Sequence, residues 1–236
     1  MKTPLLCTVF MGIFLSFGLS CSTTKKTANT TTPSPPDYTY LALGDSYTIG
    51  ESVCSNCNFP KQLKDSLNTA TQQNGTVKII AKTGWTTTDL LAAIAIEKPK
   101  NNYDLVTLLI GVNNQFQKKP FEVYQKEFPE LLDLAIQFAQ NDPTRVVVVS
   151  IPDYAFTPYR KRVSNPDLIS KELKKYDAFA HKIASEKGVI FQNITDITRR
   201  GIEDTELVAN DGLHPSEKAY TLFVNRLFPL AQQILK

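Results

Sequence analysis

The feature that most limits what this chain can fold into is an alternation, beyond residue 37, of short apolar runs with longer amphipathic stretches. Residues 38–43, 77–81, 105–110, 145–151 and 189–192 are β-branched or otherwise largely apolar, as strands of a parallel sheet covered on both faces must be. Residues 60–71, 87–96, 121–140, 166–187 and 215–235 carry the polar and apolar spacing of helices. Pro166 and Pro215 open the last two, where the N–H that proline lacks has no partner in any case. Pro129 falls inside the third and is expected to kink it. Strands joined by crossover helices define the α/β class. A chain of 236 residues, 42% hydrophobic and 21% charged, suits one such domain.

The chain begins differently. Lys2 followed by the apolar stretch from Leu5 to Leu19 reads as an export signal over residues 1–20, short for a membrane span. An uncleaved anchor helix is the alternative. The run Phe17-Gly18-Leu19-Ser20-Cys21 resembles the lipobox of bacterial lipoproteins, with Gly18 standing where a lipobox usually carries Leu. That resemblance implies cleavage before Cys21, acylation of its thiol and a membrane tether outside the cytoplasm, periplasmic or in the cell envelope. Ordinary cleavage nearby would leave Cys21 free or remove it, and Cys7 leaves with the signal. Residues 21–37, rich in Ser, Thr, Lys and Pro, have too few apolar side chains to order themselves and read as a flexible tether. The folded domain is expected over residues 38–236.

Cys54 and Cys57 form a C-x-x-C. In an exported chain the first reading is a small disulfide-closed loop. A redox motif would need a thioredoxin-like context, and a zinc site two further ligands. The net charge of +3 is small, and Lys and Arg are interspersed with acids, so no basic stripe of the kind nucleic acid requires is present.

Three polar motifs follow apolar runs, where open parallel sheets place their ligands, and a fourth precedes the final helix. Gly44-Asp45-Ser46-Tyr47-Thr48 comes after the first. Such a turn often has a purely conformational origin, yet a serine entering a helix there is expected to be solvent-exposed, its backbone N–H turned outward to meet an oxyanion. Gly84, after the second run, is either an ordinary turn glycine or one whose missing Cβ lets its N–H approach a substrate oxygen. Asn113, in Gly111-Val112-Asn113-Asn114, is either a turn former or an amide donor to an oxyanion. Asp211-Gly212-Leu213-His214 precedes the final helix. An Asp three residues before a His can accept from one ring nitrogen while the other faces a serine; the alternative is an Asx turn with a surface His. The only other histidine, His181, lies in an amphipathic helix with no Asp at that spacing and reads as structural or surface.

Taken in order, these motifs resemble those of the SGNH (GDSL) hydrolase family, with Asn114 replacing the family's usual Asp. The alternative Gly-x-Ser-x-Gly pattern of α/β-hydrolases is absent. The resemblance implies a three-layer, flavodoxin-like α/β/α domain with a mostly parallel five-stranded sheet. It further implies an ester hydrolase with Ser46 as nucleophile, His214 as base and Asp211 as its orienting acid. The N–H groups of Ser46 and Gly84 and the amide of Asn113 would form the oxyanion hole, and no metal or cofactor is required. Substrates of similar proteins include short-chain acyl esters, lysophospholipids and acetylated carbohydrates. An O-acyltransferase using the same acyl-enzyme, or a non-catalytic binding lipoprotein, would share these motifs. Trp85, beside Gly84, either lines the substrate or packs in the core.

Overall fold

The computed structural model describes residues 37–236 and, at the start of the chain, Met1 and Thr3 alone. Cys7, Cys21 and nearly all of the segments read above as signal and tether lie outside the described residues.

Five strands form one parallel sheet: β1 (Thr39–Gly44), β2 (Thr76–Ala81), β3 (Leu105–Leu109), β4 (Val146–Val149) and β5 (Ile190–Gln192), in the order β2-β1-β3-β4-β5. Every residue of β3 and β4 is buried, which explains why these runs are almost wholly apolar: helices lie on both faces, and the one polar side chain, Thr107, pairs with the Tyr40 hydroxyl. The chain winds outward from β1 to β2, crosses back to β3 and continues the other way. A topological switch point therefore opens between β1 and β3, where such sheets bind ligands.

The long helices are α2 (Phe59–Thr71), α3 (Thr87–Glu97), α5 (Phe121–Phe138), α6 (Pro166–Glu186) and α8 (Glu217–Ile234). Three single-turn helices, α1 (Ser46–Ile49), α4 (Val112–Phe116) and α7 (Thr195–Thr198), complete the set among the described residues. α2 packs on α8, while α3, α5 and α6 lie side by side as the other layer. Leu63 and Leu67 of α2, Leu131 and Leu132 of α5, and Phe223 and Leu227 of α8 are buried against the sheet. Each such side chain contributes about 1.5–3 kcal/mol relative to exposure.

Local chemistry sets the helix starts. Asn58 caps α2 by accepting from Lys61 N, and Asn165 caps α6 ahead of Pro166 by accepting from Leu168 N. Thr86 and Asp89 form a reciprocal capping box on α3. Pro215 does not open the last helix, contrary to the proline-first expectation. Instead Val208 and Pro215 pair as an isolated bridge, with Ala209 N donating to His214 O and Ser216 N to Leu207 O. That pairing keeps the chain extended until Ser216, which caps α8 by accepting from Ala219 N. Pro129 sits inside α5 as expected from its position, and Pro229 sits likewise inside α8.

Candidate active site

Parallel register brings the first three motifs level. Gly44 pairs with Ala81 on one side and Leu109 on the other, so the loops carrying Ser46, Gly84 and Asn113 leave the sheet at one height. The turn after β1 is built tightly: a Cβ on Gly44 would lie 2.4 Å from the Leu109 carbonyl oxygen. Asp45 caps α1, its Oδ1 accepting from Tyr47 N at 3.0 Å.

Ser46 lies at the first position of α1, and His214 reaches it from the far end of the chain. His214 Nε2 is 3.0 Å from Ser46 Oγ, and Nδ1 is 2.5 Å from Asp211 Oδ2. The Asp211 turn is fixed by its own backbone, since Oδ1 accepts from Leu213 N at 2.9 Å and His214 N at 3.0 Å. Tyr47 packs on the imidazole with ring centroids 5.2 Å apart.

Ser46 is not solvent-exposed: only 3% of its surface is accessible, and 8% of that of His214. The turn follows a central strand, so it is walled by the loops after β2 and β3, and the imidazole covers the hydroxyl.

Burial by itself would raise the Asp211 carboxyl. Hydrogen bonds from the His214 ring, from the N–H groups of His214 and Leu213 and from Ser52 outweigh it and hold the group at about 2. Ser52, which sequence reasoning missed, donates from Oγ to Asp211 Oδ2 at 2.7 Å. It occupies a left-handed conformation, φ 66°, just ahead of the short loop that the Cys54–Cys57 disulfide closes. Replacing Ser52 by Ala removes one of several donors to this carboxylate, at a cost of about 1 kcal/mol. A severalfold fall in kcat/KM in steady-state assays, with a melting temperature lowered by no more than about 2–4 °C, is the expected outcome.

Gly84 has φ 83° and room around it, with no atom within 4 Å of a Cβ built there. Backbone conformation, and not close approach, is what requires glycine. Gln117 Nε2 donates to Gly84 O at 2.7 Å and fixes that peptide's orientation. Among the described residues neither Ser46 N nor Gly84 N donates a hydrogen bond. Asn113 Nδ2 donates to Trp85 O at 3.0 Å and lies 3.4 Å from Asp45 Oδ2. Trp85 thus meets the site through its carbonyl, while its half-buried side chain packs against the core.

Asn114 is fully buried and makes a reciprocal pair: Oδ1 accepts from Thr87 N at 3.0 Å, and Nδ2 donates to Thr87 Oγ1 at 2.7 Å. Thr87 Oγ1 in turn donates to Glu127 Oε2 at 2.5 Å. A carboxylate at position 114 could accept from Thr87 but not donate to it; the amide does both and leaves the hydroxyl proton for Glu127. The departure from the family's Asp is therefore absorbed locally. His181 is on the surface, stacked at 4.8 Å on Phe191.

Burial pushes the Asp45 carboxyl up to about 7, against the hydrogen bonds from Tyr47 N and Asn113 that favour its charge. The unfolded value is about 3.9. Because the folded value is the higher, Asp45 stabilises the fold fully below about pH 4 and loses that contribution as pH rises through about 7. Denaturant melts of the parent and Asp45→Asn should therefore differ in a pH-dependent way: the parent's relative stability falls between about pH 4 and pH 7. A difference constant with pH would overturn this assignment.

A three-layer parallel sheet with polar loops gathered at its switch point is the frame of the SGNH hydrolases, a class of carboxylic ester hydrolases. The chain belongs to the GDSL-like lipase/acylhydrolase family, whose model matches residues 42–222. No curated protein matches it in sequence. Solved structures resemble it in fold: the psychrotrophic esterase EstA from a Pseudoalteromonas species, 19% identical over 84% of this chain and 98% of that one, TM-score 0.61. A lipase, Lip_vut3, from a goat rumen metagenome is 19% identical over 84% and 100%, TM-score 0.67. An acetylxylan esterase, Axe2, from Geobacillus stearothermophilus is 16% identical over 82% and 94%, TM-score 0.60.

Proposed function

We propose that this ester hydrolase works through a Ser46–His214–Asp211 triad on short-chain acyl esters, lysophospholipids or acetylated carbohydrates. The observation that carries the reading is the unbroken line from Ser46 Oγ through the His214 ring to Asp211 Oδ2, at 3.0 and 2.5 Å. His214 Nε2 takes the hydroxyl proton as Oγ attacks the ester carbonyl, and ionised Asp211 keeps the Nδ1–H tautomer and stabilises the imidazolium. The oxyanion is met by the N–H groups of Ser46 and Gly84 and by the Asn113 N–H whose only other contact is the long one to Asp45. Protonated His214 gives its proton to the leaving alkoxide. Water, activated by the same ring, then releases the acid and regenerates Ser46.

The first esterase named above was also solved inhibited by monoethylphosphonate, and a phosphonate is the natural probe here. Incubation with a fluorophosphonate followed by peptide mass spectrometry should place a single adduct on Ser46, abolished in His214→Ala. An adduct on another serine would overturn the assignment. Turnover measured across acetyl to long-chain esters and acetylated sugars then separates the substrate classes. The disulfide at Cys54–Cys57 accords with export. Mass analysis of the membrane fraction tests lipidation of Cys21.

A further inference from the structure

Beside the triad lies a cleft of about 710 Å³, walled by α4, the irregular segment after β4 and the start of α6. It joins the site on two sides. Gln115 and Phe116 follow Asn113 directly in α4, and Tyr159 N donates at 2.9 Å to the carbonyl of Gly212, inside the turn that holds Asp211 and His214. Tyr154 links the two walls, its hydroxyl donating to Gln115 Oε1 at 2.7 Å and its ring 5.4 Å from that of Phe116.

The charge of the cleft is one-sided. Lys118, Lys119, Arg162 and Lys175 line it, and among the described residues none of them makes an ion pair. Glu172 is the acid in the lining, and it accepts from Gln115 Nε2 at 2.8 Å. Two of the cations rest on aromatic faces instead of carboxylates: Lys175 Nζ is 3.8 Å from the Phe121 ring centroid, and the Arg162 guanidinium 5.6 Å from that of Tyr159. Such contacts hold a cation in place without cancelling its charge. Phe116, 41% exposed, leaves an aromatic surface uncovered in the same wall. Concentrated charge of one sign in a concave site attracts ligands of the other.

The geometry points to a subsite for an anionic group on the alcohol half of the ester, a carboxylate or phosphate borne on a small body that packs against Phe116. This rests on the triad reading above. His214 protonates the leaving oxygen, so the alcohol departs on the His214 side, where Tyr154 shares a small pocket with Leu213 and His214 and Tyr159 N donates to the Gly212 carbonyl. Specificity would then come from Lys118, Lys119 and Arg162, with Gln115 and Tyr154 shaping the entrance.

Two matched pairs of acetyl esters test it: an acetylated methyl glucuronide against the acetylated methyl glucoside, and acetylglycerol 3-phosphate against monoacetylglycerol. The anionic member of at least one pair should have a kcat/KM about tenfold higher at low ionic strength, and the advantage should largely vanish near about 0.5 M salt. Which pair responds identifies the source of the anion. In the Lys118→Gln/Lys119→Gln/Arg162→Gln variant the anionic-to-neutral ratio should fall about tenfold, mainly through KM. Equal ratios in both pairs, insensitive to salt, overturn the subsite. Hydrolysis of neutral 4-nitrophenyl acetate reports on the triad separately. Should that fail, calorimetric binding of glucuronate and glycerol 3-phosphate against glucose and glycerol still decides the subsite.

Discussion

Replacing Ser46 by alanine is expected to lower kcat for a short-chain aryl ester by about 10⁴- to 10⁶-fold, with the protein still folded. Ser46 is buried against His214, and removing its hydroxyl takes away one small polar group while leaving the packing of Tyr47 intact. What disappears is the acyl-enzyme route; what survives is the rate that the oxyanion donors and substrate binding supply to attack by water. His214→Ala should cost a similar factor, and the double variant little more than either alone, because the two groups act as one unit. Turnover of the Ser46 variant within about tenfold of the parent would sink the nucleophile assignment, since no triad member is that dispensable.

Asp211→Asn is expected to cost about 10⁴-fold in kcat, for a different reason. Asp211 is ionised down to about pH 2 and can only accept from His214 Nδ1, which places the free lone pair on Nε2 facing Ser46. An asparagine amide can instead donate to Nδ1, and the proton then sits on Nε2, where it cannot act as a base toward Ser46. The geometry would be nearly unchanged, so a crystal structure of the variant should superimpose on the parent while the rate falls. A loss smaller than about tenfold would mean that another group sets the tautomer. The contrast with Ser52→Ala, where only a severalfold loss is expected, separates the acid that orients the ring from a hydroxyl that steadies the acid.

Much of the architecture was legible in the sequence because the apolar runs obey the sheet's own demand. Strands such as Leu105–Leu109, buried throughout, must be largely apolar, with Thr107 admitted because its hydroxyl pairs with that of Tyr40, and that signal survives in one dimension. That Ser46, His214 and Asp211 meet in space was legible for a related reason: each sits in a short motif, and the chain holds only two histidines. The single-turn helices α4 and α7 were not, because four or five residues carry no periodicity to detect. The start of the last helix was misplaced because the pairing of Val208 with Pro215 is a contact between separate stretches of chain. Ser52 escaped for the same reason, since nothing around it announces a partner at Asp211. Burial of Ser46 was hidden too, because it depends on what the loops after β2 and β3 and the His214 turn cover. The cationic cleft takes its charges from positions 118, 119, 162 and 175, which along the chain read as ordinary scattered lysines and an arginine.

Ser46 and His214 stand 168 positions apart, and Ser52 and Asp211 159. Closing a loop of that length costs about 4–5 kcal/mol of chain entropy, which the contacts of the folded domain offset, the packing of α8 on α2 among them. Ser46 therefore emerges early in synthesis and His214 almost last. A chain part-way along the ribosome holds Ser46 with neither His214 nor Asp211 beside it, so the proposed triad cannot assemble until synthesis is complete.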